Sequence, residues 1–510
     1  MVSQIQPQKG YTIVLFLAFI VAVLLAGFSL YDNGIVAAER IRMQNTADAT
    51  AYSTMNVLSR DMNFIAYTNR SMVANQVAIG QMVGLSSWAH MADQVVQNID
   101  TLAKLSYAFP PVGLPLNQIT RVMSKVSKVA RNFMDKGAGV VIKATDVLIG
   151  IISRGQSAFQ GVTAEMAKAT YTGVSEANDK DIKAGFAGSS LAVDTLAKSW
   201  AQEVDININA NTSRGSSNNR RLKRFKEFAG IVRDSRDPFS SNRSRFWLNW
   251  VGVSIIGYEA KVSIQKKGGS DFMEVKSRSK KLQWQWTAMD TVSLWQHLEW
   301  WAWNGHHKWT GEILPMGWGA GHALNKNSLS QYSKYFNYAN YKKQKQKSFY
   351  DKGQQTLFQN KWLHWGHEGS WKNNISSTIA AKDDGNNNLT SINGLRAFGD
   401  LKKNDKKDTG PSMVVMLTKP ANTMRLQKTI DKENSQYNRN KLMTIEEKGS
   451  IAKDTIYGLS KAETYFSRPR NLWKRKDGYR EYGNLYNPFW QTRLIDSNFL
   501  ERSLASAIQY

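Results

Sequence analysis

Twenty consecutive residues near the N-terminus, Tyr11 to Leu30, constrain this chain more than any other feature, because they include no charged side chain. A helix rises ~1.5 Å per residue, so a run of this length spans about 30 Å, the thickness of one hydrocarbon core. A cleaved secretory signal has an apolar region of only ~7–15 residues and an A-x-A-like cleavage site. No such site follows Leu30. The segment therefore predicts a single transmembrane anchor.

The rest of the chain has the composition of a soluble globular protein, with 42% hydrophobic and 21% charged residues overall. Its 510 residues are enough for two or three domains. Cysteine is absent, which excludes disulfides, thiolate nucleophiles and cysteine metal sites. Acidic and basic residues nearly balance up to Thr212, so the net charge of +26 falls almost entirely beyond it. The positive charges that flank the anchor are nearly equal in number and do not orient it.

Helical periodicity dominates the first part of the chain. Apolar residues recur at three- and four-residue steps after the anchor, which is typical of a helix with one buried face. This stripe consists of Ala51, Met55, Leu58, Met62, Ile65, Met72, Ile79 and Val83. Asn69 and Gln76 interrupt it, so it could face a neighbouring helix or another subunit. Prolines within 110–115 end the pattern, and helical patterns resume over 117–177 and 181–204.

The distal part of the chain predicts strands. Runs rich in β-branched and aromatic residues begin at Val251, Lys281 and Ser412, and Gly/Asn/Lys-rich segments separate them. Strands and helices do not alternate regularly, which argues against a doubly wound parallel sheet. We therefore predict an α+β protein, in which an N-terminal transmembrane helix continues into a long helical region and a basic, Trp-rich α+β domain follows.

Motifs at opposite ends of the chain resemble one bacterial family. The anchor leads into AAERIRMQNTADATAYS, and the C-terminal part reads AETYFSRPR and GYREYGNLYNPFWQTRL. These segments resemble the TadE/TadG-like proteins of Flp (tight-adherence) pilus assembly in Gram-negative bacteria. The N-terminal signature is carried by Arg40, Gln44, Asn45, Ala47, Asp48, Ala49 and Ala51. The C-terminal signature is carried by Glu463, Tyr465, Arg468, Pro469, Glu481, Tyr482, Asn484, Asn487, Pro488, Trp490 and Arg493.

The resemblance implies a membrane-anchored, non-enzymatic component of Tad/Flp-type pilus assembly or of a related secretion or adhesion apparatus. It also implies a single-pass inner-membrane protein with a cytosolic N-terminus and a periplasmic bulk. The expected partners are the membrane and other pilus-assembly proteins, with oligomerisation through the N-terminal helix, and no cofactor is expected. The predicted divisions are a cytosolic leader (1–10), the transmembrane helix (11–30), a mainly helical region (31–205), a basic loop or boundary (206–245) and a periplasmic α+β domain (246–510).

The residues before the anchor also resemble a type IV prepilin leader, which is cut after a glycine. The corresponding bond here joins Gly10 to Tyr11. Prepilins generally carry glutamate five residues past the cut, where it neutralises a neighbour's new amine, whereas this chain has Leu15. The missing carboxylate favours an uncleaved anchor over cleavage.

Eight of the seventeen tryptophans lie between residues 284 and 318. Indole rings stack on sugars and nucleobases, and nearby Lys or Arg side chains hold phosphate or uronate. The candidate aromatic platform consists of Trp284, Trp286, Trp300, Trp301 and Trp303. The alternative is that most of these rings fill the core. Scattered basic runs indicate a positively charged surface, which favours binding of anionic lipid, acidic polysaccharide or DNA. The alternative is that the charge serves solubility alone.

Two alternative functions follow from these features. A binding module for DNA or acidic glycan would lie within residues 213–510 and use the exposed tryptophans. A periplasmic hydrolase would need His306, His307 and Glu312 to converge in one cleft.

Other motifs for chemistry are incomplete. His297, Glu299, His306 and His307 have metal-binding side chains but lack a recognised spacing such as H-E-x-x-H, so no metal site is predicted. The segment that begins at Asp290 lacks the Asp-x-Ser-x-Ser spacing of a von Willebrand A-type adhesion site. The three glycines of GWGAGHA do not have the spacing or context of a dinucleotide loop.

Overall fold

The computed structural model describes residues 11–98, 131, 133–183, 186–209, 216–276, 282–326, 376, 388–402, 407–420, 423, 455–469 and 477–503. The helices are α1 (Tyr11–Gln97), α2 (Gly139–Asn178), α3 (Phe186–Glu203), α4 (Ser216–Asp234) and α5 (Pro238–Ser241), with a π-helical turn at Met134–Ala138. The strands are β1 (Val204–Ile208), β2 (Arg245–Ile255), β3 (Tyr258–Lys276), β4 (Leu282–Ala302), β5 (Gly305–Asn325), β6 (Asn388–Ile392), β7 (Phe398–Leu401), β8 (Thr409–Pro420), β9 (Thr455–Phe466) and β10 (Trp490–Ile495). The predicted α+β class, with a long N-terminal apolar helix, is confirmed. Gly10, the leader and the prolines within 110–115 lie outside the described residues.

The chain forms two compact units, and each is assembled from separate segments. The first unit comprises Met1–Ala66, Ala158–Asp205 and Asp400–Tyr510, and the second comprises Tyr67–Ser157 and Ile206–Gly399. Residues 206–245, expected as a loop or boundary, include helix α4. The linear divisions drawn from the sequence stay predictions.

Helix α1 extends over 87 residues. Proline is absent from this stretch, so every turn can keep its backbone hydrogen bonds. Every residue of the predicted apolar stripe, from Ala51 to Val83, is buried. The periodicity therefore identified the packed face of the helix correctly.

The core of the first unit joins α1 to an antiparallel sheet with strand order β10-β9-β8. Strand β8 alternates inward and outward side chains, and its inward residues Met413, Val415 and Leu417 are buried. They share one cluster with the α1 residues Met43, Ala47, Ala51, Met55 and Leu58. Leu196 and Trp200 of α3 pack against the same cluster. The helix and the sheet thus each bury one face against the other.

The second unit is organised around a five-stranded sheet with order β2-β3-β4-β5-β6. Its first four strands are antiparallel, and β6 runs parallel to β5. Met91, Ala92 and Val95 of α1 pack into one buried cluster with Ile264, Val292, Leu294 and Met316 of the sheet. The predicted strands that begin at Val251, Lys281 and Ser412 correspond to parts of β2–β3, β4 and β8.

Three glycines explain how closely α1 approaches β5 in this unit. Gly317, Gly319 and Gly321 occupy alternate positions of the strand and therefore face the same side. A Cβ atom at Gly319 would lie 2.4 Å from the carbonyl oxygen of Ser87, and one at Gly321 would lie 2.8 Å from that of Val83. The GWGAGHA motif thus provides a flat strand face on which a helix backbone packs.

The two polar residues that interrupt the stripe are buried and hydrogen-bonded within the second unit. Asn69 Nδ2 donates to the carbonyl of Gly399 at 2.8 Å, and Gln76 Nε2 donates to that of Gly394 at 2.9 Å. Gln76 Oε1 also accepts from the indole of Trp286 at 3.1 Å. These side chains bind backbone carbonyls that an apolar residue would leave unsatisfied.

Candidate functional site

The apolar N-terminal part of α1 is solvent-exposed throughout residues 12–30. It is the one helix, within the part of the chain that the structure describes, that is long and apolar enough to cross a membrane. An exposed apolar surface of this size is unfavourable in water and favourable in lipid. The helix is therefore consistent with a single-pass membrane protein.

The N-terminal signature begins directly after Glu39, which belongs to a partly buried ion cluster of the first unit. Lys419 of β8 donates to Glu39 at 2.7 Å and to Asp179 at 2.9 Å. Burial by itself would lower the pKa of Lys419, but its hydrogen bonds to the two carboxylates outweigh burial and raise that pKa above its ordinary value. Arg42 adds a second cation near Asp179. The cluster fixes α1 to the sheet just before the signature.

Within the signature, the small residues pack inward and the polar residues line the surface. Ala47 and Ala51 are completely buried, while Arg40 and Asn45 are exposed and Ala49 is half-buried. Gln44 Nε2 donates both to Asp48 and to the carbonyl of Leu459, each at 2.9 Å. Alanine at the inward positions lets the helix lie close to β9. The signature is therefore the contact between α1 and the sheet.

The C-terminal signature folds around one carboxylate. Glu481 accepts hydrogen bonds from the side chains of Arg468, Asn484 and Asn487. Burial opposes ionisation of Glu481, but these hydrogen bonds outweigh it and hold the pKa of the carboxyl below its usual range. Four signature residues that are up to nineteen positions apart thus form one polar cluster, which we call the Glu481 cluster.

Trp490 connects the Glu481 cluster to α1. Its indole donates to the carbonyl of Asn484 at 2.8 Å. Its backbone amide donates to Asn63 Oδ1 at 3.0 Å, and its carbonyl accepts from Asn63 Nδ2 at 2.9 Å. Ser59 lies one helical turn before Asn63, and Thr492 lies two residues after Trp490. Their hydroxyl groups share a buried hydrogen bond of 2.6 Å. The C-terminal signature is therefore bound to the helix that carries the N-terminal signature.

The other C-terminal signature residues stabilise the edge of the sheet. Glu463 and Arg493 are directly opposite each other on β9 and β10 and form an ion pair. The Arg493 guanidinium also lies over the ring of Tyr465, 4.9 Å from its centroid. Tyr482 lies under Arg480 at 5.1 Å. Pro469 is exposed and Pro488 is half-buried.

A cavity of about 640 Å³ lies in the first unit beside the N-terminal signature. Gln44 and Asp48 of α1 line it on one side, and strands β9 and β10 line it on another. Lys461 and Glu501 form an ion pair of 2.6 Å at this place. The remaining lining residues are Tyr457, Leu459, Ser460, Leu494, Ile495, Asp496, Ser497 and Arg502. This mainly polar lining can receive a polar segment of another chain through hydrogen bonds.

The tryptophans of the candidate platform separate into two groups. Trp284 and Trp286 are buried in the second unit, and a Cβ atom at Gly80 would lie 2.5 Å from the Trp286 ring. Trp300, Trp301 and Trp303 lie at the end of the β4–β5 hairpin and are 37%, 57% and 109% exposed. Three of the five rings are thus accessible, and their binding role stays a prediction.

The side chains of the hypothetical hydrolase are not brought together. His306 stacks on Trp301 and His307 stacks on Trp300 near the hairpin end. Glu312 is buried six residues further along β5, which corresponds to roughly 20 Å of extended strand. Burial raises the pKa of Glu312 to about 7, although hydrogen bonds from Ser376 oppose the shift.

Among the residues that the structure describes, strand pairing brings together a group with metal-binding side chains. Ligand atoms of Glu259, His297 and Glu299 lie within 4.8 Å of one another. Glu259 and Glu299 are directly opposite on β3 and β4, a relation that sequence spacing does not reveal. Lys261 and Lys308 pair with these carboxylates and neutralise them. The lysines therefore compete with a cation for the same oxygen atoms.

Asp290 is part of a buried ion cluster. It accepts from Arg243 at 2.8 Å, from Lys266 at 2.6 Å and from Ser87 of α1 at 2.7 Å. Burial raises the pKa of Asp290, but the two cations outweigh it and keep that pKa below its ordinary value. The carboxylate thus holds α1 on the sheet of the second unit.

Comparison with known families gives a match near the N-terminus of the chain. Residues 10–56 match the model of the Flp pilus-assembly TadE/G-like family. The match confirms the resemblance at the N-terminal signature and supports a pilus-related role. It includes the apolar segment and the signature that contacts β9. Comparisons with curated proteins and with solved structures give no significant match.

Proposed function

We propose, from the match of residues 10–56 to the Flp pilus-assembly family, that this chain is a membrane-anchored, non-enzymatic component of a Tad/Flp-type pilus assembly apparatus. In this proposal the apolar helix holds the protein in the inner membrane. The leader is cytosolic, and the two compact units are periplasmic. Other pilus-assembly proteins and the membrane are its partners.

One structural observation carries the proposal beyond the matched residues. The C-terminal signature lies in the same compact unit as the N-terminal signature, although more than 400 residues separate them in the sequence. The reciprocal hydrogen bonds between Asn63 and Trp490 join the two segments. The first unit therefore combines all the residues of the resemblance, and its polar cavity beside Gln44 and Asp48 is the proposed contact with an assembly partner.

The cavity can be tested by a substitution outside the core. Gln44→Ala removes the hydrogen bond to Leu459. Asp48→Lys removes only the hydrogen bond from Gln44 to Asp48, and it reverses the charge of a half-buried residue at the cavity. In a strain that lacks the native gene, we expect the parent protein to restore surface pili and adherence. Asp48→Lys should restore neither, although the protein accumulates in the membrane.

Lys198→Asp provides the matched control, since Lys198 is exposed on α3 of the same unit. Its ion pair is with Asp194, one turn away on the same helix. It should restore piliation fully. Normal piliation in the deletion strain would contradict the proposed function. Normal piliation with Asp48→Lys alone would contradict the cavity as the contact.

The proposed orientation can be tested by labelling, because the chain has no cysteine. Single cysteines at Ser3 and at the exposed Tyr479 would be treated with a membrane-impermeant maleimide in cells with a permeabilised outer membrane. We expect Tyr479→Cys to react and Ser3→Cys to react only after the inner membrane is lysed. The reverse pattern would contradict the orientation. N-terminal sequencing of the same protein would show Met1 if the anchor is uncleaved and Tyr11 if the prepilin-like bond is cut.

A further inference from the structure

Two turns lie side by side at one end of the five-stranded sheet in the second unit. The β2–β3 turn contains Ile256 and Gly257, and the β4–β5 turn contains Trp303 and Asn304. The amide of Trp301 donates to the carbonyl of Gly257 at 3.1 Å, which fixes the turns to each other. We call residues 251–258 and 300–305 together the aromatic tip.

The aromatic tip exposes large apolar side chains. Ile256 and Trp303 are 107% and 109% exposed, so neither gains cover from the fold. Val253, Ile255 and Trp301 are also more than half exposed. A contiguous apolar surface of this kind on a folded protein indicates contact with a membrane or another molecule. Gly257 has φ of +82°, a conformation that favours glycine and holds Ile256 at the apex.

The distribution of charge favours lipid as the occupant. No residue of the aromatic tip is charged, and ionised side chains begin immediately beyond it at Glu259 and Glu299. Lys261 pairs with Glu259, and Lys308 and His306 pair with Glu299. These pairs balance the charges behind the apex, and an uncharged apex rich in Trp and Ile suits the boundary between acyl chains and headgroups.

The same rings are poorly arranged as a platform for sugars or nucleobases. Stacking requires a free aromatic face. Trp300 stacks on His307 with 5.4 Å between ring centroids, and Trp301 stacks on His306 with 4.3 Å. One face of each of these two rings is thus covered, and Val253, Ile255 and Ile256, which make up much of the exposed surface beside them, offer no aromatic face.

We propose that the aromatic tip inserts into the interfacial region of a lipid bilayer. This contact is distinct from the transmembrane helix, because it involves hairpin turns of the second unit. It also does not require the pilus-assembly role. The protein would then engage lipid both through its anchor and through a folded domain.

The test uses the full chain reconstituted in liposomes, with single cysteines in place of Ile256 or Trp303. Each cysteine carries an environment-sensitive fluorophore, and the liposomes contain phosphatidylcholine with or without phosphatidylglycerol. Lipids that bear a quencher in the middle of the acyl chain are placed in separate, protein-free liposomes, because Gly317 approaches Val95 and Gly321 approaches Val83, which directs the β4–β5 turn toward the C-terminal end of α1. Asp234→Cys is the control, since its side chain is 79% exposed in the same unit.

We expect quenching of at least about twofold at both tip positions, with or without phosphatidylglycerol, because insertion buries the probe among acyl chains. The control position should remain unquenched. An additional Trp301→Asp substitution should abolish quenching at Ile256→Cys, because it places a charge in the apex. Circular dichroism should be unchanged, since the substituted side chains are exposed.

Three outcomes would overturn the proposal. The first is equal fluorescence with and without the lipid quencher. The second is a probe that becomes shielded only as protein concentration rises, which would identify a second copy as the occupant. The third is quenching that persists with Trp301→Asp, which would show that the contact with lipid does not depend on the apolar apex.

Discussion

Glu481→Gln is the sharpest test of the idea that the C-terminal signature is a structural cluster. Glu481 Oε1 accepts from Asn484 and Asn487, while Oε2 accepts from Arg468. If the glutamine carbonyl keeps the two asparagine contacts, its amide nitrogen faces the guanidinium, and two donors oppose each other. The charge-assisted hydrogen bond from Arg468 is lost, and the bonds from Asn484 and Asn487 no longer have a charged acceptor. At about 1.5–3 kcal/mol for a hydrogen bond to a charged group, we expect a loss of about 2–4 kcal/mol.

The assay is amide hydrogen exchange of the full chain in detergent, monitored by mass spectrometry on peptides from residues 477–495. A loss of this size should accelerate exchange there by about 30-fold or more, because each 1.4 kcal/mol corresponds to a factor of ten. Glu463→Gln is the matched control, since its partner Arg493 is half exposed and such a pair contributes about 0–1 kcal/mol. Equal effects of the two substitutions would refute the central role of Glu481.

Three further predictions concern the packing of α1. Burial raises the pKa of Asp61 to about 7, although a hydrogen bond from Thr163 opposes the shift. The unfolded chain therefore releases this proton near pH 4 while the folded chain keeps it, so stability should fall as pH rises from about 4 to 7. Asp61→Asn should remove that slope in thermal melts and stabilise the protein at pH 8 by at most about 4 kcal/mol; an unchanged slope would contradict the shift. Asp290→Asn leaves two buried cations without their carboxylate and should cost about 3–5 kcal/mol in denaturant titrations; a loss below 1 kcal/mol, about that of a surface pair, would show that the cluster is solvated. Gly319→Ala should cost about 1–3 kcal/mol, because the new methyl group meets the α1 backbone. A methyl group at Gly257 would meet no atom within 4 Å, so Gly257→Ala is strained only by its positive φ and separates packing from backbone conformation.

Several features could be predicted from contiguous residues. The apolar segment, the buried stripe of α1 and the strands near Val251, Lys281 and Ser412 each depend on a local period or composition. The family resemblance at residues 40–51 is likewise local, and the family match confirms it. Local patterns therefore determined the elements and one packed face.

Other features depend on which strands pair and in what register. Glu259 and Glu299 are forty positions apart in sequence and directly opposite in the sheet. Trp286 and Trp301 share one strand, yet the first is buried and the second is exposed because the sheet is covered at one end and open at the other. Composition alone does not distinguish such residues.

The sequence by itself determined the membrane-length helix, its amphipathic continuation and the α+β class, because those properties repeat within a few turns or strands. The tertiary structure decided that the two terminal signatures share one unit and that two hairpin turns form one exposed tip. It also decided that α1 packs against the three alternating glycines of β5. These results follow from long-range pairing, whose specificity comes from complementary surfaces that no single segment contains.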